Sequence, residues 1–361
     1  MLSQLKYVIK GLYREVYKRI YKCLWCVDRV SIGILLLLVS ISSFELISSL
    51  QVIELRMSKN IFLFKKHIFF IVVFFLGILL LSNLSPENNI LLCALVGFMA
   101  LFLCILLFFL GNKINGSKRL INLFFITLQP SVFLKNTIGV FFPFLFKQMN
   151  HHLIFLTFCC ALVLFQPDFG MCLLLFSVSM TEILLMYEED WKKYSYLVFI
   201  VLAVFALFLF FKGDYFIKRV AKFFSNGGLY QSNIALYNIR NTHLFGNNSG
   251  PNIPDAHCDF IMASIISHYG IVTGMFIIFL FTLFFVQNIR QASDFKGKKR
   301  IVIYGILAQI AYQSIFHFAS NLNVIPPKGV SCPFLSFGGS ELLASIFSIG
   351  TLLSFTKRKL D

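Results

Sequence analysis

One stretch of the chain, PNIPDAHCDFIMASIISHYG at 251–270, gathers more groups capable of chemistry than any other. Asp255 and Asp259 are four residues apart, a spacing that stacks two carboxylates on one face of a helix beginning near Pro254. A carboxylate at the mouth of an apolar segment is partly dehydrated and can take a proton from a hydroxyl. Asp259 has that place, beside His257 and Cys258. The same spacing also suits acids that merely favour a helix start through its dipole. Three further places carry comparable groups. QPDFG at 166–170 puts Asp168 in a turn, the ordinary use of Pro-Asp before glycine. In NVIPPKGVSCPFLSFGGSELL at 323–343, Pro326, Pro327 and Pro333 stiffen a loop, and Gly338 and Gly339 allow close backbone approach beside Ser336 and Ser340. That composition fits a cradle for a sugar or pyrophosphate, and equally a plain glycine-serine helix start. Lys135, four residues after Ser131, is either a cavity-facing cation for a phosphate or carboxylate, or a side chain that snorkels to headgroups.

The elements that hold these residues are set by apolarity. Of 361 residues, 58% are apolar and 13% charged, and the mean hydropathy is +0.80. Soluble domains carry about 25% charged residues, and the 45 phenylalanines and runs such as ILLLLVSIS at 33–41 exceed what one core can hide. Lipid must solvate them, which selects a bundle of membrane helices and excludes a soluble globular, disordered or secreted disulfide-rich protein. Cutting the apolar runs at charges and at Pro or Gly clusters predicts ten spans: 31–49, 67–83, 89–110, 131–147, 152–166, 169–187, 195–211, 259–288, 300–322 and 338–356. The fold class is therefore all-α, a polytopic membrane protein. An even span count puts both termini on one side, and the bias of Lys and Arg places that side in the cytoplasm. The connection at 212–258 then faces outward. Glu45 and Glu182 fall inside spans, where they are neutral or paired with a neighbour.

The net charge of +16 needs no nucleic acid. Seven basic residues in the first 29, from Lys6 to Arg29, alternate with Tyr, Leu and Ile, as in an amphipathic segment resting on anionic headgroups. Residues 1–30 thus form a cytoplasmic basic segment, 31–356 the membrane domain and 357–361 a cytoplasmic tail. Most of the nine cysteines lie in apolar runs as small hydrophobes. Cys23 and Cys26 form a CxxC without the second pair that a zinc site requires.

Taken together, the motifs resemble the SEDS family (shape, elongation, division, sporulation) of cell-wall polymerases, most closely its septal branch. A family pattern of a basic pair, then QPSE and a lysine, is matched by NGSKRLINLFFITLQPSVFLK at 115–135. The family's Gln-Pro-Asp-Leu-Gly turn is matched by QPDFG, its PEAHTDFIF by PDAHCDFIM, and its final TKG-LPFISYGGSS by PKGVSCPFLSFGGSE. The chain departs from the pattern at Val132, where the family has the Glu of QPSE, at Cys258 in place of Thr, and at Ser267, His268 and Tyr269. It also keeps only LFGNNSG, at 244–250, of a glycine-rich run.

The resemblance implies ten transmembrane helices in the bacterial inner membrane, at the division septum. It implies transfer of the disaccharide-peptide of lipid II into glycan strands, alongside a class b penicillin-binding protein transpeptidase and other division proteins. Asp259 matches the family's proposed catalytic acid. Arg119, Gln129, Ser131, Lys135, Asp168, His257, Gln313, Lys328, Ser336, Gly338, Gly339 and Ser340 are implied to surround the substrate. The chemistry is inverting glycosyl transfer: Asp259 as base for the attacking hydroxyl, Lys135 and Arg119 with a divalent cation (Mg or Mn) for the departing polyprenyl pyrophosphate, and no organic cofactor. With its usual glutamate missing, Lys135 is expected to find Asp168 or Asp259. A lipid II flippase and a non-catalytic division scaffold are the alternative readings.

Overall fold

The computed structural model describes residues 28–53, 59–110, 119–123, 126–166, 168–187, 206, 218, 221–225, 230–246, 253–327 and 329–356. The N-terminal segment up to residue 27, the span expected at 195–211 apart from Ala206, Lys328 and the tail lie outside them. In chain order the helices are α1 (Arg29–Ile53), α2 (Lys59–Asn83), α3 (Pro86–Leu110), α4 (Pro130–Leu145), α5 (Met149–Phe165), α6 (Phe169–Met186), α7 (Tyr230–Arg240), α8 (Ile261–Tyr269), α9 (Ile271–Ala292), α10 (Lys298–Asn321) and α11 (Gly339–Phe355). A small antiparallel hairpin, β1 (Ile121–Leu123) and β2 (Ile126–Leu128), pairs Ile121 with Leu128 just before α4.

Six helices, α1, α2, α3, α6, α9 and α10, are long and apolar enough to cross a membrane, and α4, α5 and α11 are shorter apolar helices. The nine coincide with nine of the ten expected spans. Helix α4 lies at the centre: every residue from Pro130 to Pro143 except Phe133 is buried. Around it, α3 to α6 share one apolar core, and α1, α2 and α8 to α11 share another. Phe69, Leu76, Leu80, Leu95 and Phe102 point outward from α2 and α3, as lipid-facing positions do when the solvent is hydrocarbon.

Two expectations fail locally. The span expected at 259–288 is two helices, because Gly270 takes φ +92 and closes α8 by donating its N–H to the Ile266 carbonyl at 2.8 Å. No residue with a β-carbon fits that point, since one would lie 2.1 Å from the Leu244 carbonyl oxygen. Nor does a helix start at Pro254. Residues 254–260 are turns with Asp255 at φ +55, and helix begins only at Ile261. Asp255 and Asp259 therefore do not stack on one helix face.

The bundle has two distinct ends. At one, Gln291 Nε2 donates to Asp28 Oδ2 at 3.0 Å, Lys299 lies 3.5 Å from Glu87, and the Lys298 ammonium sits over the Phe144 ring. The connections α2–α3, α4–α5 and α9–α10 meet there. At the other end meet the connections β2–α4, α5–α6 and α10–α11, together with the turns before α8.

Candidate functional site

A cavity of about 320 Å³ opens at this second end. Its walls come from Arg119, Gln129, His257, Asp259, Gln313, Gly338, Gly339 and Ser340, all anticipated from sequence, and from Lys66, Phe337, Ser331 and Glu341, which were not. Segments from Lys66 to Glu341, far apart in the chain, thus converge on one space.

The turn carrying Asp259 is fixed by its backbone. Phe337 N–H donates to the His257 carbonyl at 2.8 Å, and Ser336 Oγ donates to the Cys258 carbonyl at 2.7 Å while accepting from Cys332 N–H. Asn321, at the end of α10, donates its amide to the Asp259 carbonyl and accepts from Ala263 N–H. The Asp259 carboxylate lies over Gly329, whose φ of +66 brings its backbone close: a β-carbon there would meet Asp259 Oδ2 at 3.5 Å. His257 packs edge-on against Phe337. Burial lowers the His257 pKa, with the charge of Asp255 opposing, so the ring is neutral near pH 7. The adjacent Cys258 thiol is pushed up to about 12 by burial and by the Asp259 and Asp255 charges. It stays protonated and is no nucleophile.

A second group shapes the opposite wall. Gln129 Nε2 donates to Asp168 Oδ2 at 2.6 Å, and the Arg119 guanidinium lies 3.7 Å from the same oxygen. Asp168 caps α6 by accepting from Met171 N–H. Burial raises its pKa and Arg119 counteracts this. Asp168 therefore stands behind the wall, positioning Gln129 and Arg119. Ser340 Oγ donates to the Thr127 carbonyl at 2.7 Å and ties the hairpin to the start of α11. Gly339 admits the ring of Phe70, which would overlap any β-carbon at that position.

Lys135 neither snorkels nor reaches Asp168 or Asp259. It is fully buried, and its Nζ donates to Glu341 Oε1 at 2.7 Å and to Gln313 Oε1 at 2.6 Å. Gln313 in turn donates to the Ser331 carbonyl at 2.9 Å. Lys135 is thus set behind the cavity, with its two partners forming the wall. Ser131 accepts from Gln129 Nε2, likewise behind the wall. Glu341 carried a signal in the sequence, being the sole acid of the 323–343 segment and placed in the first helical turn. Lys66 carried less, as one of two lysines at the edge of an apolar run.

The FtsW/RodA/SpoVE family model, described as cell cycle protein, matches residues 28–360. The chain is 28% identical over 300 residues to a probable peptidoglycan glycosyltransferase FtsW of Caulobacter vibrioides, covering 78% of this chain and 76% of that one. It is 27% identical over 342 residues to the protein of the same name from Buchnera aphidicola subsp. Schizaphis graminum, covering 85% and 94%. Among solved structures, a chain of a peptidoglycan synthase complex that coordinates polymerization and crosslinking superposes with TM-score 0.73 at 19% identity, over 93% of this chain and 99% of that one. The rod shape determining protein RodA of Thermus thermophilus superposes with TM-score 0.66 at 18% identity, over 91% and 96%.

Proposed function

This chain belongs to the FtsW/RodA/SpoVE family of cell cycle proteins, and from that premise we propose that it is a peptidoglycan glycosyltransferase that polymerises lipid II during cell division. The observation that carries the reading is the placement of Asp259 in a cavity that also holds Lys66 and Arg119. Polymerisation needs a base for the attacking sugar hydroxyl and positive charge for the leaving pyrophosphate, and the cavity wall supplies both. Asp259 takes the hydroxyl proton as the oxygen attacks the anomeric carbon. The bond to the pyrophosphate oxygen breaks with inversion, and Arg119, steadied by Asp168, receives the charge. Gln129, with its amide N–H groups spent on Asp168 and Ser131, offers its carbonyl oxygen to the sugar as an acceptor, and Gln313 is fixed in the same wall by Lys135 and Ser331. His257, neutral, adds a polar edge without a competing charge. Glu341 and Gln313 hold Lys135 behind this surface, so Lys135 acts through them, Gly338 lines the cavity at the start of α11, and Gly339 makes room for the Phe70 ring.

A resident divalent cation does not fit the described residues. No three His, Cys, Asp or Glu side chains cluster there, and the second cavity carboxylate, Glu341, is already engaged by Lys135. No step is routed through one. The membrane domain is read as 31–356, with both termini in the cytoplasm and 212–258 outside. The end that carries Lys147, Arg290, Lys296, Lys298, Lys299 and Arg300 fits the cytoplasmic side. A class b penicillin-binding protein is the expected partner at the septum.

The test is polymerisation of lipid II by the purified protein, with and without that transpeptidase. Glycan strands resolved on a gel are expected. Lipid II that changes leaflet in proteoliposomes and is never polymerised would replace this reading with the flippase.

A further inference from the structure

Two departures from the family pattern are complementary. Position 132, where QPSE has its glutamate, is Val, and position 341, where GGSS has its last serine, is Glu. We propose that these are one change: the counter-ion of Lys135 has moved from the first turn of α4 to the first turn of α11, and Glu341 is the positioning residue that now sets this wall of the cavity. The proposal rests on the functional reading above only for what the cavity is used for.

Both positions can serve the same lysine. Position 132 is three residues before Lys135, so a side chain there lies over the same helix face, and Val132 and Glu341 both line the cavity. Glu341 reaches the ammonium from across the bundle at 2.7 Å, with Lys135 entirely enclosed and Glu341 nearly so. An ammonium enclosed among helices must keep a carboxylate, and among the described residues Glu341 is the one that forms an ion pair with it. At the start of α11 the acid also gains from the helix dipole. The consequence goes beyond charge balance. A glutamate at 132 would join Lys135 to its own helix, whereas Glu341 joins α4 to α11, and Gln313 joins both to α10 and, through Ser331, to the 329–338 loop. The relocated acid therefore turns a pair local to one helix into a clamp on three.

The experiment measures lipid II polymerisation and the thermal unfolding midpoint in detergent for four chains: the parent, Glu341→Ser, Val132→Glu with Glu341→Ser, and Glu341→Gln. Glu341→Ser is expected to lower polymerisation about tenfold or more and the midpoint by about 5 °C or more. Adding Val132→Glu is expected to restore the midpoint to within about 2 °C and activity to within about threefold. Glu341→Gln keeps the shape and one acceptor, is expected to fall in the same direction, and decides the question if the serine variant does not accumulate. A double variant no better than Glu341→Ser, or a Glu341→Ser chain equal to the parent, would overturn the proposal. Recovery of the midpoint without recovery of activity overturns the positioning role. If the parent itself makes no glycan, the unfolding measurements alone decide on Glu341, and the failure belongs to the functional reading.

Discussion

At the residue scale the proposed chemistry turns on Asp259, and its neighbour Asp255 provides the control. Asp259→Asn preserves volume and leaves the backbone bonds of the 254–260 turn untouched, so the protein should fold and still bind its transpeptidase. Polymerisation should fall by ~10²–10⁴-fold, the usual cost of losing a general base, as read on a gel of lipid II products. Asp255→Asn should stay within a few-fold of the parent, because Asp255 holds the turn through its carbonyl, its carboxylate accepts from Gln231 Nε2 at the exposed surface in a bond that an Asn oxygen can also accept, and it sits at φ +55, which Asn tolerates well. The reverse result would move the base to Asp255. His257 gives a pH signature. Its folded pKa is lowered from 6.5 by burial, so the native state binds fewer protons than the unfolded one. Stability contributed by the neutral ring is present above the unfolded value of 6.5 and is lost as pH falls toward the folded one. His257→Gln should flatten the decline in unfolding midpoint between about pH 6.5 and pH 5, and an unchanged decline would mean that the ring titrates as if in solvent.

Elements were legible where a run of apolar residues was long, since hydrocarbon leaves the backbone no alternative to helix. The break between α8 and α9 was not, because a lone glycine in an apolar run is compatible with continuous helix. What forces the break is tertiary: His243 and Leu244, from the long connection, accept bonds from Ile271 and Val272, and Gly246 and Gly270 back onto each other at positive φ. The start of α8 at Ile261 is hidden for a similar reason, Pro254 being a helix signal that a turn can also use. Of the site, Arg119, Gln129, His257, Asp259, Gln313 and Ser340 follow from the motifs, but Lys66 does not, and Lys135 and Glu341 are 206 residues apart, with nothing local to mark them as partners. Gly270→Ala should cost ~1–3 kcal/mol from the backbone conformation alone, with the overlap on Leu244 added. A differential scanning midpoint unchanged from the parent would show that α8 and α9 can join into one helix.

For the whole molecule, the two ends make a labelling prediction. Asp168 and the 253–260 turn lie at the cavity end, while Tyr187, bonded to Lys147 and His152, lies at the other. An odd number of crossings must therefore separate residues 187 and 253, and the apolar run 195–211 has the length for one. Single cysteines placed in 230–246 should react with an impermeant reagent in intact spheroplasts, and those in 293–299 should not. Labelling of 293–299 from outside would invert the orientation and put the cavity on the cytoplasmic side.

The broken helix also bears on biogenesis. At nine residues, α8 covers roughly half of a ~30 Å hydrocarbon layer, so α9 is the segment that a translocon can release as a span. Helix α8 settles through Glu45 of α1, bonded to Ser264 and His268, and through Asn321 of α10, bonded to Ala263 N–H. Asn321 is synthesised after α8, and residues 329–338, which tie the turn ahead of it, are synthesised later still. The segment bearing Asp259 thus takes its final place only after residues 329–338 have been synthesised, so that nascent chains ending before them insert their early spans without assembling the cavity.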